Sequence, residues 1–202
     1  MGLYVPRCRL VGVDIGSRAI KVLHLTTSLT DFRITAFFVK KRSEGPLGHL
    51  VEDIRFLKER GALEGDFLAV SFPSDRALFR TADLPFSQLS KIRATIRYEA
   101  EDTMISPLEE MVVDFSLLER RTDGSSVLIT CVPRDDLDRY VGAIREGGAL
   151  PDVVDVDALA LASLMEELSG EGGVALIDVG GSKVSLSIFQ DGRLHLIRSV
   201  PI

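Results

Sequence analysis

Val11-Gly-Val-Asp14-Ile-Gly16-Ser17-Arg-Ala-Ile-Lys21-Val22 and Ala175-Leu-Ile-Asp178-Val-Gly180-Gly181-Ser182-Lys-Val-Ser-Leu186 are one pattern written twice, with Asp178 standing 164 residues after Asp14. Each copy is a short apolar run, then Asp-apolar-Gly-small, then an alternating strand. That order describes a hairpin whose tight turn carries a carboxylate. The likeness continues outward: Thr27 to Asp31 and Gln190 to Arg193 supply turn residues, and Phe32 to Val39 and Leu194 to Val200 are β-rich. Both copies therefore begin as a three-strand meander, and a repeat at this distance decides the architecture.

Between the copies the pattern changes several times. Leu47, Leu50, Val51, Ile54 and Leu57 keep helical spacing up to Gly61, and Phe67 to Phe72 reads as a buried strand. From 78 to 148 the chain reads as an α/β subdomain of its own. Ala77 to Leu84 is a strand; Ser87 is placed to cap a helix with Leu89, Ile92 and Ile96 on one face and Lys91, Arg93 and Arg97 outside. Met111 to Leu118 and Val127 to Val132 are strands, and Asp135 to Glu146 is a helix ended by Gly147-Gly148. Val153 to Val156 is a short strand, followed by a helix begun at Asp157 with Leu161, Leu164, Met165 and Leu168 at helical spacing. Ser169-Gly-Glu-Gly-Gly173 links this helix to the second meander, of which 174–202 supplies three strands.

The 202 residues carry 24 Lys and Arg against 30 Asp and Glu, a net charge of −6, with 46% hydrophobic residues. That balance excludes a duplex nucleic-acid binder, which needs a basic excess to neutralise phosphates. No apolar run reaches the roughly 18 residues that span a bilayer, and the amino-terminal residues lack signal-peptide order. Cys8 and Cys131 are far apart and read as reduced thiols, the second within the apolar series Val127, Ile129, Cys131. His24, His49 and His195 share no metal-ligand spacing.

The repeated turns carry the chemistry. N–H groups in a concave turn attract phosphate oxygens, and a nearby carboxylate can hold hydrated Mg²⁺. Two such turns facing each other would clamp a nucleoside triphosphate. Gly16 and Gly180 would let the backbone approach the phosphates. The plainer reading of one such turn is a hairpin needing a residue tolerant of positive φ; repetition at the head of two matching meanders favours phosphate. The candidate nucleotide residues are Asp14, Gly16, Ser17, Lys21, Asp155, Asp178, Gly180, Gly181 and Ser182, with Asp14 also the candidate Mg²⁺ ligand through water. Lys21 either reaches a phosphate or is a solvated strand lysine. Asp157 reads as a helix cap, whereas Asp155 can point into the same cleft.

These residues resemble the actin-like ATPase superfamily. Val11 to Lys21 is similar to its first phosphate loop, Val153 to Leu161 to its connecting segment, and Ala175 to Leu186 to its second phosphate loop. Within it, the likeness is to the type IV pilus assembly protein family PilM and the cytoplasmic domain of the type II secretion protein L family (GspL). Leu84-Pro85, Ile96-Arg-Tyr-Glu-Ala-Glu101, Pro107-Leu-Glu-Glu110, Val113-Asp-Phe115 and Val154-Asp-Val-Asp-Ala-Leu-Ala-Leu161 carry that narrower likeness. The resemblance implies an α/β, actin-like (RNase H-like) fold: a first domain of 9–77 and 149–170, an inserted α/β subdomain of 78–148, and the start of a truncated second RNase H-like domain at 174–202. It implies ATP and Mg²⁺ as cofactors, with weak binding because the adenosine-binding half would follow Ile202. It also implies a cytoplasmic assembly platform at the inner-membrane face. Its partners would be a short cytoplasmic segment of an inner-membrane protein, a secretion or pilus ATPase and a second copy in a homodimer, in a role that is at most weakly ATPase. Thr103-Met-Ile-Ser-Pro107 departs from the family's aromatic-Pro stretch.

The rival reading is a small-molecule kinase of the sugar or acetate type on the same fold. Such an enzyme needs a general base or electrophile beside the transferred phosphate, and near the turns only Arg18 is offered.

Overall fold

The computed structural model describes residues 8–28, 31–43, 45, 47–101, 107–168 and 170–202. Residues 103–106 of the departing stretch and Ser169 of the linker lie outside the described residues. The strands are β1 (Cys8–Ile15), β2 (Ala19–Thr27), β3 (Phe32–Lys41), β4 (Phe67–Phe72), β5 (Leu78–Leu84), β6 (Met111–Arg120), β7 (Ser125–Pro133), β8 (Val153–Val156), β9 (Gly173–Val179), β10 (Lys183–Gln190) and β11 (Arg193–Pro201). The helices are α1 (Leu47–Glu59), α2 (Leu89–Glu101), α3 (Arg134–Glu146) and α4 (Asp157–Leu168), with short 3-10 turns at Ser74–Arg76 and Leu108–Glu110. Contacts group the chain into two units, Met1–Phe72 with Asp138–Asp157, and Pro73–Leu137 with Ala158–Ile202.

In the first unit the sheet order is β3-β2-β1-β4-β8. β1, β4 and β8 run parallel, and β2 and β3 complete the meander antiparallel. Alternation sends Val11, Val13 and Ile15 of β1, Ile20 and Val22 of β2, and Leu68, Val70 and Phe72 of β4 to one buried face. Leu50, Val51, Ile54 and Leu57 of α1 are buried with them. The later half of α3 joins this side, with Tyr140 edge-on to Phe72 at 5.3 Å between ring centroids. β4 is thus half-buried by alternation, and Phe67 is exposed.

Both long helices of this layer stop by the same device. Gly61 has φ 71°; its N–H reaches the Lys58 carbonyl at 3.0 Å and the Ala62 N–H reaches Leu57 at 3.0 Å. Gly148 has φ 90°, with matching bonds from Gly148 to Arg145 (2.9 Å) and Ala149 to Ile144 (3.2 Å). These are Schellman ends, which satisfy carbonyls the helix leaves unpaired.

The second unit holds two antiparallel three-stranded sheets, β5-β7-β6 and β11-β10-β9. α2 covers one face of the first: Leu84, Ile92, Ile96, Ala100, Met111, Val127, Ile129 and Cys131 form one core cluster. Leu128, from the opposite face of β7, packs with Ala158 and Ala162 of α4 and with Phe189, Leu194 and Ile197. The outer face of β9–β11 leaves Ile177, Val179 and Val200 exposed.

Three local expectations are corrected. The first i→i−4 bond of α2 runs from the Ile92 N–H to the Gln88 carbonyl (3.0 Å), so Gln88 and not Ser87 is the N-cap. Leu89 is exposed in the first turn, and Ala100 completes the buried stripe begun by Ile92 and Ile96. In α4, among the residues whose side chains are described, Ala158 and Ala162 are buried and Met165 packs half-buried against their cluster as expected, while Leu161 and Leu164 are exposed. Small alanines let this helix lie close against β-sheet side chains, which counts for more than leucine spacing.

Candidate functional site

The repeat is reproduced bond by bond. In the first copy the Gly16 N–H reaches the Ala19 carbonyl at 3.0 Å; in the second the Gly180 N–H reaches Lys183 at 2.9 Å. The strand-end residue then closes each turn from behind, Arg42 N–H to Arg18 carbonyl (2.8 Å) and Ile202 N–H to Ser182 carbonyl (2.9 Å). Even the irregularities agree, since the pairing register shifts between His24 and Leu25 in one copy and between Ile188 and Phe189 in the other. The positive-φ account of the turn glycines fails, because neither Gly16 nor Gly180 has positive φ. Close approach is the reason instead: a Cβ would stand 3.0 Å from the Ala19 carbonyl oxygen at Gly16 and 3.2 Å from the Lys183 oxygen at Gly180.

In the first unit, Asp14 stands one residue before the end of β1, directly opposite Lys21 of β2, and the Lys21 Nζ donates to Asp14 Oδ2 at 2.9 Å. Both side chains are about half exposed. Ser71 of β4 fills the next place: its Oγ accepts the Ile15 N–H at 2.9 Å and donates to Asp14 Oδ1 at 3.4 Å. Asp155 of β8 is paired in register with Ser71, and its Oδ1 accepts the Val156 N–H at 2.7 Å. Asp14, Lys21, Ser71 and Asp155 therefore share one sheet face at the carboxyl ends of parallel strands, where open α/β sheets place ligands. Gly16 and Ser17 form the adjoining turn, and the Arg42 guanidinium donates to the Gly16 carbonyl at 3.2 Å.

In the second unit, Asp178 is opposite Ser185, which is opposite Ser199. Gly180, Gly181 and Ser182 are exposed at the turn. Ser71, Arg42 and Lys183 escaped sequence reading; only the offset between the repeats could have marked Lys183, which falls where the first copy has Ala19.

The other candidates hold structural places. His24 is half-buried and its Nε2 pairs with the Ala62 carbonyl at 2.7 Å. Cys131 is buried, and burial pushes its thiol up to about 11. Asp157 stands in the first turn of α4, where a carboxylate favours the helix dipole. Among the described residues no three His, Cys, Asp or Glu cluster for a metal, so an ion at Asp14 would have to bring its own waters or phosphate oxygens. Among them, no helix is long and apolar enough to cross a membrane.

The family model of the type IV pilus assembly protein PilM matches residues 12–200. The chain belongs to the PilM family. A solved structure of the PilM-PilN type IV pilus biogenesis complex is similar over 96% of this chain and 62% of that chain, at 20% identity and a TM-score of 0.81. The cytoplasmic domain of EpsL, an inner-membrane component of the type II secretion system of Vibrio cholerae, is similar over 96% and 71%, at 15% identity and a TM-score of 0.61. A Bacteroides thetaiotaomicron protein of unknown function with an actin-like ATPase fold is similar over 96% and 70%, at 12% identity and a TM-score of 0.60. The fold of this PilM-family chain is therefore actin-like, and the chain spans less than two thirds of the matched PilM chain.

Proposed function

We propose that this PilM-family chain is an actin-like assembly protein whose repeated hairpin turns bind the phosphates of Mg-ATP. The observation that carries the reading is the duplicated turn closure: two glycine turns, each headed by an aspartate, keep the same hydrogen bonds although only their pattern is shared. Asp14, Lys21, Asp155, Gly16 and Ser17 serve the first turn; Asp178, Gly180, Gly181 and Ser182 serve the second. Asp14 holds Mg²⁺ through water. Calorimetry with Mg-ATP tests this: Asp14→Ala should abolish or greatly weaken binding, and equal binding by the variant would overturn it.

The assembly role implies a partner, and PilN stands with PilM in the matched complex. A groove of about 440 Å³ between α1 and the later half of α3 supports docking of a short cytoplasmic segment of a PilN-type inner-membrane protein. Leu47, Val51 and Ala143 give it an apolar floor, with Arg55, Arg139 and Glu146 at its rim. A Cβ on Gly142, which also lines it, would meet nothing within 4 Å. Gly142→Leu should therefore fill the groove and block a fluorescent peptide copy of that segment. The fold itself should gain up to about 1 kcal/mol from the loss of a mid-helix glycine. Unchanged peptide affinity in this variant would place the partner elsewhere.

A further inference from the structure

The two turns differ in one respect that matters for charge. In the first, the cation paired with the aspartate is Lys21, the cross-strand neighbour of Asp14. The equivalent neighbour of Asp178 is Ser185, which is uncharged and buried. Two positions nearer the turn stands Lys183, on the same face of β10 because side chains alternate with a period of two.

We propose that Lys183 is the cationic phosphate ligand of the second turn, taking over at that turn the part Lys21 plays at the first. This rests on the phosphate reading of the turns and adds to it a residue that the repeat does not supply. Its main chain already belongs to the turn, since its carbonyl accepts the Gly180 N–H. Its side chain is held rather than free: Nζ donates to Ser74 Oγ at 2.9 Å and lies 3.7 Å from Asp75 Oδ1. Ser74 is 1% exposed and is itself fixed by Ser199 Oγ at 2.8 Å and Ser185 Oγ at 3.2 Å, and Ser185 and Ser199 meet at 2.8 Å.

The serines therefore do two things. They satisfy one another's hydrogen bonds inside the sheet without adding charge, and they hold the ammonium end of a side chain that is 13% exposed and whose Cγ would stand 3.9 Å from a Cβ at Gly180 in the exposed glycine and serine turn. An ammonium so held loses little further freedom on meeting an anion. A compact point charge of this kind suits phosphate. Asp75 helps to hold the ammonium in place when no anion is present.

The test compares Mg-ATP, Mg-ADP and AMP by calorimetry on wild type, Lys183→Met, Lys183→Arg, Asp14→Ala and the surface control Lys91→Met. Wild type should bind in the order ATP, ADP, AMP. Lys183→Met should lose on the order of tenfold for ATP while changing AMP little, so that discrimination by phosphate number collapses. Lys183→Arg should restore part of it, and Lys91→Met should behave as wild type. A merely structural lysine would lower all three affinities together, and that result overturns the proposal. If Lys183→Met binds as wild type while Asp14→Ala does not, this inference fails and the turn reading stands. If wild type binds no nucleotide, both fail. Should Lys183→Met not fold, the lysine Cε resonances of isotope-labelled wild type decide: Lys183 must shift with Mg-ATP and not with adenosine, and no shift overturns the proposal.

Discussion

Asp53 of α1 and Lys40 of β3 form a buried ion pair. The carboxylate is 1% exposed and also accepts the Ser43 N–H and the Ser43 hydroxyl, each at 3.0 Å. Lys40 Nζ in turn lies 5.1 Å from the Phe56 ring centroid. The pair ties the end of the edge strand to the helix that covers the sheet. Removing one partner strands the other in low dielectric, so Asp53→Ala should cost about 3–5 kcal/mol in urea denaturation. Asp53→Leu combined with Lys40→Met should recover much of that loss. A cost within about 1 kcal/mol for the single variant would mean that the pair behaves as a surface bridge.

The same carboxylate makes stability depend on pH. Burial alone would raise its pKa, but the hydrogen bonds from Lys40 and Ser43 outweigh burial and hold it below the usual aspartate value. The unfolded chain, with an ordinary value near 3.9, therefore takes up the proton first as pH falls. The contribution is fully present above that unfolded value and is lost as pH drops through the folded one. The stability gap between wild type and Asp53→Asn should thus be constant from about pH 7 to about pH 5 and shrink towards about pH 2. A gap that widened on acidification would refute the sign.

Gly147 marks how closely α3 approaches α1. A Cβ there would stand 2.6 Å from the Ile54 Cβ and 2.9 Å from the Val51 carbonyl oxygen, which cannot move without moving the helix. Gly147→Ala should therefore destabilise by about 1–3 kcal/mol despite alanine's better helix propensity. Gly142→Ala, five residues earlier with open space around it, should not. Thermal melts of the two variants give the comparison, and equal melting temperatures would contradict it.

Cys131 offers a chemical check on the core beneath α2. With its thiol pushed up to about 11 by burial, only about one part in a thousand is thiolate at pH 8. Iodoacetamide should leave Cys131 unmodified in the folded protein and alkylate it once denatured, as read by peptide mass spectrometry. Rapid labelling under native conditions would show that the cluster of Ile92, Ile96 and Ile129 opens readily.

What the sequence reveals about the site is what is local. The turns are legible because Asp14, Gly16 and Ser17, and their counterparts at Asp178, Gly180 and Gly181, are contiguous and occur twice. Ser71 carries no such mark. It is a small polar residue inside Phe67–Phe72, and only the parallel pairing of β1 with β4 sets it beside Asp14, 57 residues away. Asp53 was likewise hidden, since helical periodicity records which residues are apolar and not that a carboxylate on the same turn points inward. Leu161 and Leu164 of α4 are exposed for a related reason: leucine spacing signals burial by hydrophobicity, whereas Ala158 and Ala162 are buried because they are small, with Met165 alone of the three packing against them.

On the proposed Mg-ATP reading, Ser71 joins stability and ligand binding at one atom, and its variants separate the two. Its Oγ accepts the Ile15 N–H in a half-buried place where water does not readily substitute. Ser71→Ala leaves that N–H without its acceptor and should cost about 1–3 kcal/mol. The hydroxyl also orients the Asp14 carboxylate through its 3.4 Å contact, so the same variant should weaken Mg-ATP binding beyond what its lower stability explains. Ser71→Thr keeps the hydroxyl on a residue suited to strands and should restore both. If Ser71→Ala loses stability but binds Mg-ATP as wild type does at a temperature where both are folded, the carboxylate needs no such orientation, and Lys21 alone holds it.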